Sequence, residues 1–201
     1  MERKPEKIRI LFTIPNFDTA GSGKALLNIA TRLEKTNFEP HIACSHNKGA
    51  FFNVVEGSGI PVHLLQTTTS MTNRFNGFLQ CWKISRKMKE INPDMIHSFH
   101  YAPDYSEALA AWFAGIPWIF TKKNMNWGGK SKNSWILRSF LAKHIVILNT
   151  DMKKIFYPKS YKTTLIYRGI DLNEFSMNIK NKSLQNIGIP QDSKVVMVVA
   201  N

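Results

Sequence analysis

The chain has 201 residues, 43% of them hydrophobic and 11% aromatic, and its 27 Lys and Arg outnumber 14 Asp and Glu for a net charge of +13. This composition excludes a disordered or collagen-like chain and suits one full domain with a fragment of a second. Two cysteines, Cys44 and Cys81, are too few for a disulfide framework or a four-ligand zinc site, and a reduced pair is expected.

The first residues mimic a secretion signal, with charges from Met1 to Lys7 and an apolar run from Ile8 to Pro15. Arg9 and Thr13 interrupt that run, so it reads as strand rather than leader. No apolar stretch approaches the ~20 residues of a membrane-spanning helix. A soluble, cytoplasmic protein is expected.

Short β-branched or aromatic runs alternate with helical spacing along the chain. Ile8 to Ile14 predicts a strand and Lys24 to Glu34 a helix. His41 to Ser45 is a strand, Phe51 to Gly57 a short helix and Val62 to Leu65 a strand. A long helix is predicted from about Asn73 to Ile91, then a strand at Met95 to Phe99. Ser106 to Ala114 is a helix, Trp118 to Thr121 a strand and Trp135 to Ala142 a helix. Ile145 to Leu148, Met152 to Phe156 and Thr163 to Tyr167 complete the pattern as strand, helix and strand. About seven strands interleaved with helices imply an α/β, doubly wound, mostly parallel, Rossmann-like sheet. The strands are apolar without strict alternation, as burial on both faces requires.

Residues 1–170 thus form one domain. Residues 171–193 are polar and read as a linker. Residues 194–201, with Val195 to Ala200 apolar, read as the first strand of a second, truncated domain.

Four segments carry candidate chemistry. Ala20-Gly21-Ser22-Gly23-Lys24 falls between the first strand and first helix, where small residues let backbone N–H groups approach an anion. A Walker loop would need glycine at Asp18 and Ser or Thr at Ala25; a dinucleotide fingerprint would need glycine at Leu26 and an acid near Ser45 to Asn47. Neither pattern is met. The plainer reading is a turn with Ser22 as N-cap.

The second segment, His97 to Tyr101, ends a strand. There His97 reads as core, while His100 is balanced between core and cleft. The third, Thr121 to Gly129, follows another strand end and mixes Lys122, Lys123, Asn124, Asn126 and Trp127 with two glycines, which suits a polar, partly anionic ligand. The fourth is the long helix. Its stripe of Phe75, Phe78, Leu79 and Trp82 is expected to face the core. The stripe of Cys81, Ile84, Met88 and Ile91 is open to core, membrane or partner. No convincing third ligand accompanies the histidines, so no metal is expected.

Residues 122–168 hold 11 of the cations and a single acid, Asp151. Lys122, Lys123, Lys130, Lys132, Arg138 and Lys143 therefore suggest a basic patch for an acidic membrane surface. The same charge, with Trp127, Trp135, Tyr157 and Tyr161 among the lysines, makes a nucleic-acid-binding module the alternative, though no nucleic-acid motif is present. A peripheral membrane-binding module without catalysis is a further alternative.

Five segments, in order, resemble the N-terminal half of GT-B glycosyltransferases of the retaining family 4 group. They are the Gly-rich turn from Ile14 to Gly23, Gly57-Ser58-Gly59-Ile60-Pro61-Val62, the strand Asn92-Pro93-Asp94-Met95-Ile96-His97-Ser98-Phe99-His100, the turn Ala114-Gly115-Ile116-Pro117, and Arg168-Gly169-Ile170-Asp171-Leu172-Asn173-Glu174-Phe175. The resemblance covers nearly the whole chain. It implies sugar transfer from a nucleotide sugar to a glycan or lipid-linked acceptor with retention, without cofactor or metal. The setting would be surface polysaccharide, lipopolysaccharide or glycolipid assembly.

It further implies that this chain is the acceptor-binding half, inactive alone, with the Glu-x7-Glu motif in the following domain. Gly21, Ser22 and Gly23 would contact the donor phosphate or sugar. His100, Tyr101, Lys123, Asn124 and Asn126 would line the acceptor side, and Arg168 would sit at the hinge. Three positions depart from the family pattern: Lys123 stands for a histidine, Arg168 for the hinge asparagine and Asn149 for a serine.

Overall fold

The computed structural model describes residues 7–18, 20–102, 104–125, 132–172, 188–189, 193–194 and 196. The expected strand at Val195 to Ala200 apart from Val196, most of the linker, Asn126, Trp127 and Lys130 lie outside them. By contacts the chain divides into residues 1–168 and 169–201.

The first unit alternates strand and helix throughout: β1 (Ile8–Thr13), α1 (Ala20–Arg32), β2 (Phe38–Cys44), α2 (Ala50–Glu56), β3 (Val62–Leu64), α3 (Arg74–Ile91), β4 (Met95–Ser98), α4 (Ser106–Ala114), β5 (Trp118–Lys122), α5 (Lys132–Leu141), β6 (His144–Ile147), α6 (Thr150–Phe156) and β7 (Thr163–Leu165). The seven strands form one sheet in the order β3-β2-β1-β4-β5-β6-β7. Every pairing is parallel, with Phe12 of β1 opposite Ile42 of β2 and His97 of β4. The order reverses between β1 and β4, so loops leaving these strands diverge and open a crevice at their carboxyl ends.

Right-handed crossovers divide the helices between the two faces. One core packs Leu26 and Leu27 of α1 and Phe52 and Val55 of α2 on Ile10, Phe12 and Ile42. The other packs α3 to α6 through Cys81, Met88, Ala110, Ala111, Trp135 and Met152 on Leu11, Ile96, Phe120 and Ile145.

Local chemistry sets the helix ends. Asn73 caps α3 by accepting from the Asn76 amide at 3.1 Å, and Asn149 caps α6 by accepting from the Met152 amide at 2.8 Å. Gly115 ends α4 in the left-handed region, φ 71°. Its amide reaches the Trp112 carbonyl and that of Ile116 reaches Ala111, which satisfies two otherwise unpaired carbonyls.

Three expectations are corrected. First, α1 begins at Ala20, so Gly21, Ser22 and Gly23 form its first turn and Ser22 is not its N-cap. Second, α3 turns its other side inward: Gly77, Cys81, Ile84, Ser85 and Met88 are buried. Phe75, Phe78, Leu79 and Trp82 stand exposed. The inward face uses small residues because α3 lies close on alanine-rich α4, with the Cys81 thiol 3.4 Å from the Ser106 carbonyl oxygen. Third, Lys122 and Arg138 are fully buried and belong to no surface patch. Lys122 shares the inward parity of Trp118 and Phe120 on β5, and Arg138 follows Trp135 by one turn of α5.

Candidate functional site

The crevice is built from three neighbouring strand ends. From β1 the chain passes through Phe17, fully buried, into α1, whose first-turn N–H groups have no partner within the helix. Gly23 is required here by packing: a Cβ would lie 2.7 Å from the Phe17 ring, whereas Gly21 has nothing within 4 Å. Gly21 is exposed and Ser22 is buried.

Across the crevice, Tyr101 follows β4. Its phenol hydroxyl and the Ser22 hydroxyl share a hydrogen bond, tying the loop after β4 to the first turn of α1. Lys123 comes from the end of β5 and lies over the Tyr101 ring, 3.8 Å from Nζ to the centroid, and over Phe99 at 5.3 Å. Its Nζ donates to the Phe99 carbonyl. Burial, and then repulsion from Arg168 and Arg138, hold the Lys123 ammonium down at about 7. The structure therefore brings Ser22, Tyr101 and Lys123 together, with Arg168, exposed beyond β7, felt only through its charge on Lys123.

Asn124 follows Lys123 and is half-buried. Its side-chain oxygen is enclosed without a hydrogen-bond partner among the described residues. His97 donates to or accepts from the Thr121 hydroxyl at 2.8 Å; burial, then the Lys123 charge, depress it to about 4, so it is a neutral core group.

His100 sits behind the crevice rather than on it, 5% exposed. Its Nε2 is 3.1 Å from the Thr67 hydroxyl and 3.4 Å from Glu107 Oε1. Burial lowers the His100 pKa despite the opposing pull of Glu107. Sequence reading passed over Glu107, which lies fully buried at the start of α4. Ser98 donates to Glu107 Oε2, and the Trp118 indole donates to the same oxygen at 3.2 Å. Burial acts to raise this carboxyl, but His100, Arg138 and the Ser98 hydroxyl together leave it below the usual carboxylate range.

Arg138 completes the network. It donates to the Asp104 carbonyl at 2.7 Å and to Ser98 Oγ at 3.4 Å, with its guanidinium 4.7 Å from the centroid of Phe120. A single acid in the otherwise apolar sequence of α4 was the signal available for Glu107. This network props the β4 loop from beneath and presents Tyr101 and Lys123 above it.

The fold is that of a doubly wound, Rossmann-like α/β domain, and the comparisons with known proteins narrow this. Residues 19–174 match the family described as Glycosyltransferase Family 4, and the chain belongs to that family. No curated protein sequence matches it.

Among solved structures, a glycosyltransferase from Rickettsia africae is 19% identical over 93% of this chain and 51% of its own, with a TM-score of 0.73. Anabaena HepE in complex with UDP and glucose is 18% identical over 90% and 50%, TM-score 0.69. Acinetobacter baumannii MurG is 16% identical over 82% and 47%, TM-score 0.59. At these identities the likeness is one of fold, the N-terminal domain of a GT-B glycosyltransferase, and the chain spans about half the length of each.

Proposed function

We propose that this chain forms the acceptor-binding half of a hexosyltransferase that moves a sugar from a nucleotide-sugar donor to a glycan or lipid-linked acceptor with retention. The observation that carries the reading is the convergence of the first turn of α1, Tyr101 and Lys123 at the β1/β4 crevice of a family 4 domain. Binding of UDP-glucose by Anabaena HepE supports a nucleotide sugar as the partner.

In this reading the N–H groups of Gly21, Ser22 and Gly23 face the donor phosphate or sugar, where a helix N-terminus favours an anion. Tyr101, Lys123, Asn124 and, two residues on in sequence, Asn126 serve the acceptor side, and Arg168 serves the hinge. His100 acts from beneath by holding the loop after β4.

The bond from the sugar to the leaving diphosphate breaks as the acceptor oxygen bonds to the same face of the sugar. The departing diphosphate oxygen accepts the acceptor proton. Such chemistry rests on positioning and on charge stabilisation, with no strong protein base. The carboxylate of Glu107 beneath the crevice is fully buried and sealed from it. No cofactor enters this scheme, and the enzyme works in the cytoplasm on surface polysaccharide, lipopolysaccharide or glycolipid.

Transfer assays with nucleotide sugars, with product configuration read by proton NMR, test the reading. The chain alone is expected to give no turnover, and the polypeptide joined to a donor-binding domain is expected to transfer with retained configuration. Inverted product, or turnover by this chain alone, overturns it.

A further inference from the structure

The edge strand β3 is three residues long, pairs with β2 alone and leaves Leu64 exposed. A strand with so few apolar contacts opens locally at small cost. Besides the partly buried Val62, its side-chain link to the sheet is polar. His63 stands opposite Ala43 of β2, and His41 lies two residues before Ala43 on the same face. The two imidazole rings are 7° from parallel, with His41 Nδ1 2.8 Å from His63 Nε2. His41 is buried, and its Nε2 lies 3.1 Å from Glu39 Oε1. Arg9 of β1 reaches both Glu39 oxygens at 3.2 Å, so four side chains form one chain from β1 to the sheet edge.

The proton positions follow from the chemistry of these groups. The bond from His41, then Arg9, outweighs burial and holds the Glu39 carboxyl below its ordinary value. A carboxylate only accepts, so His41 donates from Nε2 and, when neutral, keeps a lone pair on Nδ1. His63 then donates from its Nε2 to His41 Nδ1. One added proton leaves this bond intact, because an imidazolium on either ring still donates to a neutral partner. A second proton does not: both facing nitrogens then carry hydrogen, the bond is lost and two like charges meet. Glu39, already shared with Arg9, offsets only one of them. Just before β4, the Asp94 carboxylate accepts from the Arg9 amide at 2.7 Å. From α3 the inward residues are uncharged, the Cys81 thiol among them, while its cations and Glu90 are exposed. Burial, then His41 and Arg9, lower the His63 pKa.

β3 leads directly into the floor of the crevice. The Leu65 amide donates to the Cys44 carbonyl at 2.8 Å. Two residues on, the buried Thr67 hydroxyl meets His100 Nε2 at 3.1 Å, and the Thr69 amide donates to Ser106 Oγ at 2.9 Å. Segment 65–69 thus joins the sheet edge to the network beneath Tyr101. We propose that His41 and His63 form an acid-released clasp, which holds β3 and segment 65–69 in place while at most one of the pair is protonated and frees them when both are. The inference concerns this domain alone and does not depend on the acceptor reading.

Amide exchange of the full chain, read by NMR as protection relative to an unstructured chain at each pH, tests it. A histidine whose pKa is lowered on folding contributes stability that is lost as pH falls below its ordinary 6.5. Between about pH 7.5 and 5.0, Leu65 should therefore lose about 5-fold or more of its protection, and Thr69 should follow it. His63→Gln keeps a donor to His41 without a second charge, so its Leu65 protection should hold within about 2-fold over the same range. Glu39→Gln removes the charge that offsets the first proton and should move the loss to higher pH.

The control His144→Gln lies at the opposite edge of the sheet, where His144 Nε2 is 2.7 Å from the Thr164 hydroxyl, and should leave the response of Leu65 as in the wild type. Leu65 protection that ignores pH overturns the inference. A fall in His63→Gln as large as in the wild type also overturns it and assigns the response to His100. A loss that stays in place in Glu39→Gln counts against it equally. Independently of any variant, long-range nitrogen–proton spectra of the wild type at neutral pH should show both rings with hydrogen on Nε2. Hydrogen on Nδ1 of neutral His41 would remove the acceptor on which the clasp depends.

Discussion

The Lys123 ammonium lies 3.8 Å from the centroid of the Tyr101 ring while its Nζ donates to the Phe99 carbonyl. A cation held against two aromatic rings and a carbonyl has given up most of its water, and the two nearby guanidinium groups repel it. That is why it titrates at about 7 rather than 10.5.

The sign of the resulting pH dependence follows from linkage. Between about pH 7 and 10 the unfolded chain holds the Lys123 proton and the folded chain does not, so this residue makes stability rise with pH across that window. Thermal melts of the wild type and of Lys123→Met across the window should show the rise in the first and a flatter profile in the second. Anion affinity at the crevice runs the other way, weakening as Lys123 loses its charge above about 7. Equal pH profiles for the two proteins would contradict the placement of Lys123.

Gly21 and Gly23 are two residues apart in the same helical turn and should respond oppositely to alanine. At Gly23 the new methyl meets the Phe17 ring at 2.7 Å, and Phe17 is fully buried and cannot swing away. Overpacking of this kind costs about 1–3 kcal/mol. At Gly21 the space is open, and the gain in helix propensity is about 0.5–1 kcal/mol. Denaturant midpoints of Gly21→Ala and Gly23→Ala should therefore move in opposite directions.

Glu107 serves four partners at once, so its removal should be the most damaging single change near the crevice. Glu107→Ala leaves the Ser98 hydroxyl and the Trp118 indole without their shared acceptor and Arg138 with Asp104 as its remaining nearby negative charge, a loss of about 1–3 kcal/mol. Glu107→Gln keeps shape and one acceptor and should lose less. Because the folded carboxyl titrates below its ordinary 4.5, its stabilisation is present above that pH and fades as acid protonates it in the folded state. Acid unfolding of Glu107→Gln should accordingly be shallower than that of the wild type. A combined Glu107→Gln, Arg138→Met variant should lose less than the two single losses added together, since each single change already breaks the same network.

The succession of strands and helices along the chain was legible because the strands are short and largely apolar and the helices between them carry helical spacing, so period and punctuation agreed. What was not legible was which side of an amphipathic element faces in. On α3 the outward Phe75, Phe78, Leu79 and Trp82 are bulkier than the inward Gly77, Cys81 and Ser85, which share their face with Ile84 and Met88. Close packing on α4 nevertheless selects the small side, and burial there, with the Asp104 charge, pushes the Cys81 thiol up to about 11. The opposite error arose at Lys122 and Arg138, where charge was read as exposure. Counting by two along Trp118, Phe120 and Lys122, and by three from Trp135 to Arg138, points both side chains inward. Lys122 lies 3.9 Å from the Phe156 centroid and 4.6 Å from that of Trp135, and burial, then Arg138, lower it to about 8. Of the candidate site, Tyr101 and Lys123 could be named from strand-end position, and Arg168 only from the resemblance to a hinge segment. The Ser22–Tyr101 link and the Glu107 support beneath it depend on side-chain directions that a linear reading does not carry.

The two functions of Tyr101 can be separated by substitution. Tyr101→Phe removes only the bond to Ser22 and keeps the ring beneath Lys123. For a half-exposed hydroxyl the stability loss should be about 1 kcal/mol or less, and Ser22→Ala should match it. Tyr101→Ala removes the ring as well, which strips away a cation–π contact worth about 0.5–1 kcal/mol and lets water reach the ammonium. The Lys123 titration should then move up from about 7 toward 10.5 in Tyr101→Ala and stay in place in Tyr101→Phe. Carbon NMR of reductively methylated lysines, with Lys123→Arg to assign the signal, reads this directly. A titration that ignores the loss of the ring would mean that Phe99 and its carbonyl, rather than Tyr101, strip the ammonium of water.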